Sequence, residues 1–272
     1  MSGLVALLEH YERLKDISSV MMAMKSLALV ETKKLSRVIK HQRSMLCNIK
    51  KAAADFQTFH PMRHDDEKQS AIVVLIGSEH GFCGDFNERI VEVLESLPMI
   101  DARPVSLVVV GSRLSAKLAE RSDVLADVKG AIVTEEVSNV LNHILDSLAE
   151  ASASGLFVLA HEAQGGPILK QIIPFESLKS QEFTNPPCLQ LHHEEFFIEM
   201  LDQYLLAVLY GALYESLLAQ SHQRLAHMEQ ALNRLGETMA KLTLKRNTMR
   251  QEKIIEEIEV ILSSRESSDR LE

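Results

Sequence analysis

Two long stretches of the sequence repeat apolar residues with the three- and four-residue spacing of a coiled coil. The first runs from Leu4 to His60 and contains neither Gly nor Pro. A helix of that length extends roughly 85 Å at about 1.5 Å per residue. The pattern predicts one helix over residues 1–60, with an imperfect seam formed by Leu7, Tyr11, Leu14, Met21, Met24, Ala28, Leu35, Val38, Met45, Ile49, Ala52 and Phe56.

The second stretch follows Cys188 and contains no Pro. Its seam residues are Leu225, Met228, Leu232, Leu235, Met239 and Leu242, after which the phase shifts to Ile254, Ile258 and Ile261. This pattern predicts a helix over residues 194–263 and a polar tail over 264–272. Two such helices at opposite ends of one chain most simply pair with each other in antiparallel fashion. The alternative is that each pairs with a separate protein.

The middle of the chain alternates short β-branched runs with helix-like stretches, which is typical of a mostly parallel sheet covered by helices. The predicted helices are 88–97, 112–121 and 135–151. The predicted strands are 71–77, 105–111, 131–134 and 155–160, and a strand or hairpin over 168–175 follows the turn signal Gly165-Gly166-Pro167. The predicted fold class is therefore α/β: a long antiparallel coiled coil of the terminal helices with an inserted Rossmann-like domain over residues 68–192.

Composition and charge narrow the classes of protein. Of the 272 residues 46% are apolar, which is enough for a sizeable core, and three cysteines at unrelated spacings favour a reducing compartment. The apolar runs look too short to cross a bilayer, and no signal-peptide pattern is visible. The net charge is −9, yet residues 1–51 carry ten Lys or Arg against four Asp or Glu. Residues 220–253 carry seven Lys or Arg against three Asp or Glu. The two basic regions are either solvated helix faces or a surface for an acidic partner.

The stretch IGSEHGFCGDFN, residues 76–87, lies between a predicted strand and a predicted helix, where many proteins hold a phosphate. It lacks the Gly-Lys-Ser/Thr of a phosphate loop, and no lysine occurs between Lys68 and Lys117. Turn formation by Gly81 and Gly84 around a small buried Cys83 explains the residues better than nucleotide binding does.

Two other candidate sites are also poorly supported by the sequence. Cys83 and His80 have the residue types of a nucleophile and its base, but no third residue in the loop would orient them. The run His192–Glu195 lacks the spacing of a zinc site and reads as a helix start with acidic residues at the positive end of the helix dipole. The sequence therefore predicts no catalytic residues, no metal site and no cofactor.

Three segments resemble the γ subunits of F-type ATP synthases, in a divergent prokaryotic form. They are MAMKSLALVETKKLSR (residues 22–37), SEHGFCGDFN (78–87) and the C-terminal helix. Gly81, Cys83, Gly84 and Asn87 match the family's loop, in which Glu79 and His80 replace an Asp-Arg pair. In the C-terminal helix the matching positions are Arg224, Met228, Ala231, Leu242, Leu244, Asn247, Arg250, Gln251, Ile254 and Glu257.

The resemblance implies a central rotor shaft that couples ion flow to ATP synthesis or hydrolysis and is itself non-catalytic. The implied partners are the ring of catalytic and non-catalytic (α/β) ATPase subunits, the ε subunit and the membrane c-ring, at the cytoplasmic face of a bacterial or archaeal membrane. Binding of nucleic acid and direct binding of nucleotide are not expected. The residues expected to contact partners are Met24, Lys25, Arg224, Met228, Asn247, Arg250 and Gln251. A coiled-coil scaffold with an α/β head is the alternative function.

Overall fold

The computed structural model of the chain describes residues 2–60, 70–97, 104–151, 153–163, 165–173 and 189–269. Two long helices lie at the ends of the sequence, α1 (Ser2–Phe59) and α5 (His193–Asp269). Both lack interior proline, the residue that breaks helices most strongly. Helix α5 continues past residue 263, the end predicted from its apolar pattern. The sequence also predicts a polar linker over residues 60–68, of which 61–68 lie outside the described residues, as do Cys188 and residues 270–272 of the predicted tail.

Between these helices lies a five-stranded sheet of order β3-β2-β1-β4-β5. Its strands are β1 (Ala71–Ile76), β2 (Val105–Val110), β3 (Val124–Val128), β4 (Gly155–His161) and β5 (Pro167–Ile173). Strand β1 pairs in parallel with β2 and β4, β2 pairs in parallel with β3, and β4 pairs antiparallel with β5. All positions of β1 and β4 are buried, as expected for central strands covered on both faces.

Helices cover both faces of the sheet. Helices α2 (Phe86–Glu95) and α3 (Ser112–Leu118) pack on the face that includes Val73 and Leu75. Helix α4 (Val137–Ala149), which follows a short 3-10 helix (Thr134–Glu136), packs with parts of α1 and α5 on the face that includes Ile72 and Val74. This second core extends along both long helices, so the sheet and the helix pair share one apolar interior.

The third strand was predicted at residues 131–134, and that prediction was wrong. The strand is Val124–Val128, and Thr134 begins the 3-10 helix. Strand β3 lies at the edge of the sheet, and of its five side chains only that of Val128 is buried. Its sequence therefore contains Ala126 and Asp127 and lacks the continuous apolar run that marks a central strand.

The predicted seam of α1 holds as far as Leu35 and then drifts. Met45 is 44% exposed and Ala52 is exposed, whereas Leu46 and Ala53 turn inward. An α-helix has 3.6 residues per turn, so a strict seven-residue repeat moves off the packed face after a few turns.

The chain divides into two compact units. The first consists of Met1–Leu27 and Ala226–Glu272, and the second of Ala28–Leu225. In the first unit the two helical segments run antiparallel, since Lys25 pairs with Glu229 while Leu4 and Leu8 lie beside Arg250. The boundaries predicted from sequence for the domains differ from this division and stay a prediction.

By length and mean hydropathy alone, one part of α5 within His193–Leu262 meets the requirement of a membrane span. Its mean hydropathy is 1.4, and 39% of it is buried inside the structure. This differs from the expectation that every apolar run is too short. It is a weak indication of a span, because the core helix of a folded domain passes the same test.

Candidate functional site on the first loop and the paired helices

The first loop, residues 77–85, begins with a glycine that close packing requires. A Cβ atom at Gly77 would lie 2.3 Å from Leu114 Cβ of helix α3 and 2.9 Å from Asn87 Oδ1. Gly111, at the end of β2, has a φ of +104°, and a Cβ there would lie 2.8 Å from the carbonyl oxygen of Ser78. The two glycines thus let the ends of β1 and β2 approach each other and α3 closely.

Asn87 fastens the loop to the end of β1. The backbone N–H of Ser78 donates to Asn87 Oδ1 at 2.9 Å, and Asn87 Nδ2 donates to Ser78 Oγ at 2.8 Å. Both residues are buried, so each satisfies polar groups that would otherwise be costly to bury. Gly84 has a φ of +61° and completes the turn. The structural role predicted for Gly84 and Asn87 fits this geometry.

Cys83 is buried beneath the loop, as the sequence predicted. Its thiol lies 3.6 Å from the carbonyl oxygens of His80 and Gly81, and Arg224 of α5 donates to its Sγ at 3.6 Å. Burial raises the pKa of the Cys83 thiol, and the charge of Arg224 opposes that shift only in part. The thiol contacts the backbone of His80 rather than its imidazole, so this geometry does not make a nucleophile and base pair.

Glu79 fills the place that an anion would take. Its Oε2 accepts from the backbone N–H groups of Ser112 at 2.9 Å and Gly130 at 2.8 Å, and its Oε1 accepts from Ser112 Oγ at 2.7 Å. Burial alone would raise the pKa of this carboxyl, but these hydrogen bonds outweigh it and lower the pKa below the usual range. The N–H groups that could cradle a phosphate at the ends of β2 and β3 are therefore already bonded within the chain.

Helix α5 covers the second place where such a sheet would bind a ligand. Ligands of open parallel sheets bind at the carboxyl ends of the strands where the strand order reverses, which here is between β1 and β4. At this point Ser216 Oγ donates to the carbonyl of Ile76 at 3.3 Å, and Gln220 Nε2 donates to the carbonyl of Gly77 at 3.0 Å. The chain's own helix thus occupies the crevice.

His161, at the end of β4, completes this buried polar group. Its Nε2 lies 2.9 Å from the carbonyl oxygen of Phe86, and its ring stacks on Phe86 with centroids 3.9 Å apart. Burial lowers the pKa of the imidazole, which keeps it neutral near neutral pH. Sequence reasoning missed His161 and Gln220, for which the available signal was a polar residue at the end of an apolar stretch.

The residues predicted to contact partners fall into two groups. Lys25, Asn247, Arg250 and Gln251 are exposed or partly exposed in the first compact unit, and Met24 is partly buried there. Met228 is only 1% exposed and lies in the packed seam of that unit, and Arg224 contacts Cys83 in the second unit. For these two residues the structure shows contacts within the chain, and their binding to a partner stays a prediction.

A basic and apolar surface lies around Arg250 in the first unit. Leu4, Leu8 and Ile254 line one open groove with Arg246, Arg250 and Lys253. Lys253 pairs with Glu257 at 3.7 Å, whereas within the described part of the chain neither arginine forms an ion pair. Further along α5 the large apolar side chains are about half exposed or more: Ile255, Ile258, Val260, Ile261 and Leu262.

The possible metal ligands do not converge. Among the described residues no group of three or more His, Cys, Asp or Glu side chains is placed to hold a metal ion. Glu194 and Glu195 lie in the first turn of α5, the place where acidic side chains favour the helix dipole. The run His192–Glu195 thus begins a helix, as the sequence indicated.

Comparison with known proteins decides the family. The sequence pattern of the ATP synthase family matches residues 4–267. The chain belongs to the ATP synthase family. An ATP synthase gamma chain of Bdellovibrio bacteriovorus is 24% identical over 98% of this chain and 99% of its own length.

Two solved structures share the fold. The rotor of the Euglena gracilis mitochondrial ATP synthase, in rotational state 1, aligns with a TM-score of 0.62 at 16% identity over 93% of this chain and 99% of that one. A chain of the OSCP/F1/c-ring structure of the same enzyme, in rotational state 3, gives 0.63 at 14% identity over 97% and 93%. The predicted fold class and the resemblance to γ subunits are therefore confirmed.

Proposed function

We propose that this chain is the central rotor shaft, the γ subunit, of a rotary F-type ATP synthase or ATPase. It couples ion flow through the membrane ring mechanically to ATP synthesis or hydrolysis. The observation that carries the proposal is the antiparallel helix pair of the first unit, whose outer surface is apolar and basic. A contiguous exposed apolar surface marks a protein contact, and a ring of surrounding subunits would cover it.

The chain itself is non-catalytic in this proposal, and the ATP sites belong to other subunits. Glu79 and Gln220 support it, because they occupy the two places where a sheet of this topology would hold a nucleotide. The chain is a subunit of an enzyme complex whose chemistry needs no group from the residues described above. No cofactor is required for a shaft that acts through contact alone.

The partners are the α/β ring of catalytic and non-catalytic subunits, the ε subunit and the membrane c-ring. Met24 and Lys25 contact a catalytic subunit, and Asn247, Arg250 and Gln251 form polar contacts further along the helix pair. Individual exposed ion pairs contribute only about 0–1 kcal/mol. Modest contacts suit a shaft, since each must form and break in every rotation while the sum biases the conformation of the catalytic subunits.

The complex is associated with a membrane, and this chain is a peripheral component of it. We place it at the cytoplasmic face of a prokaryotic plasma membrane. The cysteine usage favours this placement. The half-exposed apolar side chains of α5 between residues 255 and 262 then contact protein rather than lipid.

Purification of the tagged chain from native membranes tests the function directly. Recovery with two kinds of large ATPase subunit and a small membrane ring is the expected result, identified by mass spectrometry. Recovery of the chain alone, or with unrelated proteins, would overturn the proposal and favour a coiled-coil scaffold.

Breaking one helix tests the mechanical role. Leu232→Pro places proline inside α5, at a cost of about 3 kcal/mol or more, and should abolish ATP-driven ion transport by membrane vesicles. Gly236→Ala, one turn further along, is the matched control, because a Cβ there meets nothing within 4 Å. Transport by the proline variant at the control's rate would contradict a role as shaft.

A further inference from the structure

Three polar side chains on α5 form a stripe that binds the end of β1 and the first loop. Ser216, Gln220 and Arg224 follow one another at four-residue intervals and so lie on one face of the helix. They donate respectively to the carbonyl of Ile76 at 3.3 Å, the carbonyl of Gly77 at 3.0 Å and the thiol of Cys83 at 3.6 Å. Ser216 and Gln220 are fully buried, so water does not compete for these bonds.

Helix α1 has a second fastening within the same compact unit. Glu31 Oε2 accepts from Thr134 Oγ1 at 2.9 Å and from the Thr134 backbone N–H at 3.3 Å. Lys34, one turn later, donates to the carboxylate of Glu135. Both contacts are made to the 3-10 helix that leads into α4. Each long helix is thus tied by directional contacts to the carboxyl edge of the sheet, α5 at the end of β1 and α1 at the 3-10 helix that follows β3.

These hydrogen bonds and the apolar core differ in how they restrain the rotation of a helix about its own axis. The hydrophobic effect is non-directional, so apolar packing restrains the rolling of a helix about its own axis only through the interdigitation of side chains, and hydrogen bonds add a directional restraint. A roll of roughly 20° moves a side-chain tip about 2 Å, given a helix radius of about 5–6 Å with side chains. A hydrogen bond does not survive such a displacement, because its strength falls steeply with distance and angle.

We propose that Ser216, Gln220, Arg224, Glu31 and Lys34 are positioning residues that form a torsional anchor between the two long helices and the α/β domain. The crevice in which this kind of sheet would bind a ligand here binds the chain's own helix. Torque applied along either helix then turns the domain instead of rolling the helix against it. The inference rests on the proposed rotor function and adds the residues that transmit the torque.

The test uses the assembled complex. The ring of catalytic and non-catalytic subunits is fixed to a surface, and a bead is attached to the sheet domain of this chain. A cysteine at the exposed position Glu120, in a background of Cys47→Ser and Cys188→Ser, carries the bead. The variance of the bead angle at rest measures torsional stiffness. The variant Ser216→Ala/Gln220→Met/Glu31→Met removes three of the five contacts and keeps side chains of similar size at the two larger positions.

If the five contacts alone carry the torsional load and share it equally, the variant keeps two of five restraints and the variance rises about two- to threefold. Ser216→Thr and Glu31→Gln keep a hydroxyl and an acceptor oxygen, and together they should retain the wild-type variance. Gln203→Met, on an exposed position of α5, controls for the change of amide to thioether. Thermal midpoints measured on the same chains distinguish anchoring from general loss of stability.

The outcomes separate the inference from the function on which it rests. Failure of the wild-type chain to assemble with the ring and rotate overturns the function. Assembly and rotation with unchanged variance in the triple variant overturns the anchor alone. An increase that the Thr and Gln variants show equally, or that follows the thermal midpoint, also overturns it.

Discussion

Gly77→Ala is the substitution whose effect follows most directly from the geometry. The added Cβ would lie 2.3 Å from Leu114 Cβ and 2.7 Å from Leu114 Cδ2, far inside an ordinary contact. Because Leu114 Cβ belongs to the start of a side chain, relief requires movement of helix α3. Overpacking of this kind costs about 1–3 kcal/mol. The Cβ would also lie 2.9 Å from Asn87 Oδ1 and displace the hydrogen bond to Ser78, adding about 1 kcal/mol.

Gly211→Ala is the matched control, since it makes the same chemical change with the opposite expected sign. A Cβ at Gly211 meets nothing within 4 Å. Gly211 also lines a cavity of about 50 Å³ together with Ile39 and Val208. Replacing an interior helical glycine by alanine stabilises by about 0.5–1 kcal/mol. The Gly77 variant should therefore lose about 2–4 kcal/mol while the Gly211 variant gains up to about 1 kcal/mol.

Tyrosine fluorescence during thermal or urea unfolding suits this comparison. The chain has no tryptophan and four tyrosines, of which Tyr204, Tyr210 and Tyr214 lie on α5 beside the sheet. At about 2–4 °C per kcal/mol, the Gly77 variant should melt roughly 5–15 °C below the wild type. A midpoint within about 1 °C of the wild type, or equal shifts in both variants, would refute the reasoning from close packing.

Three further predictions concern charge and thiol chemistry. Glu79→Gln should cost about 1 kcal/mol near pH 7. Because folding lowers the pKa of Glu79, this difference in the free energy of unfolding should shrink steadily as the pH falls through the usual carboxyl range and below it. A difference that stays constant with pH in urea titrations would contradict the prediction. In a Cys188→Ser chain, a thiol reagent should modify exposed Cys47 rapidly and buried Cys83 only on unfolding, and two equally fast thiols by mass spectrometry would count against the burial. Lys25→Ala should change the free energy of unfolding by less than about 1 kcal/mol yet weaken assembly with the α/β ring, measured by co-purification; a large loss of stability would assign Lys25 a role within the chain.

Many contacts of the site could not be predicted from the local sequence. The loop residues Gly81, Cys83, Gly84 and Asn87 stand out because they match a family pattern. Glu79 of the same loop bonds to Ser112 and Gly130, and Cys83 bonds to Arg224, and these partners are distant along the chain. Met228 shows a related limit of the sequence. An apolar seam position looks identical in the sequence whether the chain itself or another subunit covers it.

The sequence by itself determined the long terminal helices, the central strands and the absence of a phosphate loop. These features repeat over many neighbouring residues, so periodicity and composition reveal them without any knowledge of distant contacts. Tertiary structure alone decided the edge strand Val124–Val128, the drift of the α1 seam to Leu46 and the filling of the ligand crevices by Glu79 and Gln220. Each of these depends on which groups meet across more than a few residues of chain, and a hydrogen bond or a packed face exists only once the fold has brought both sides together.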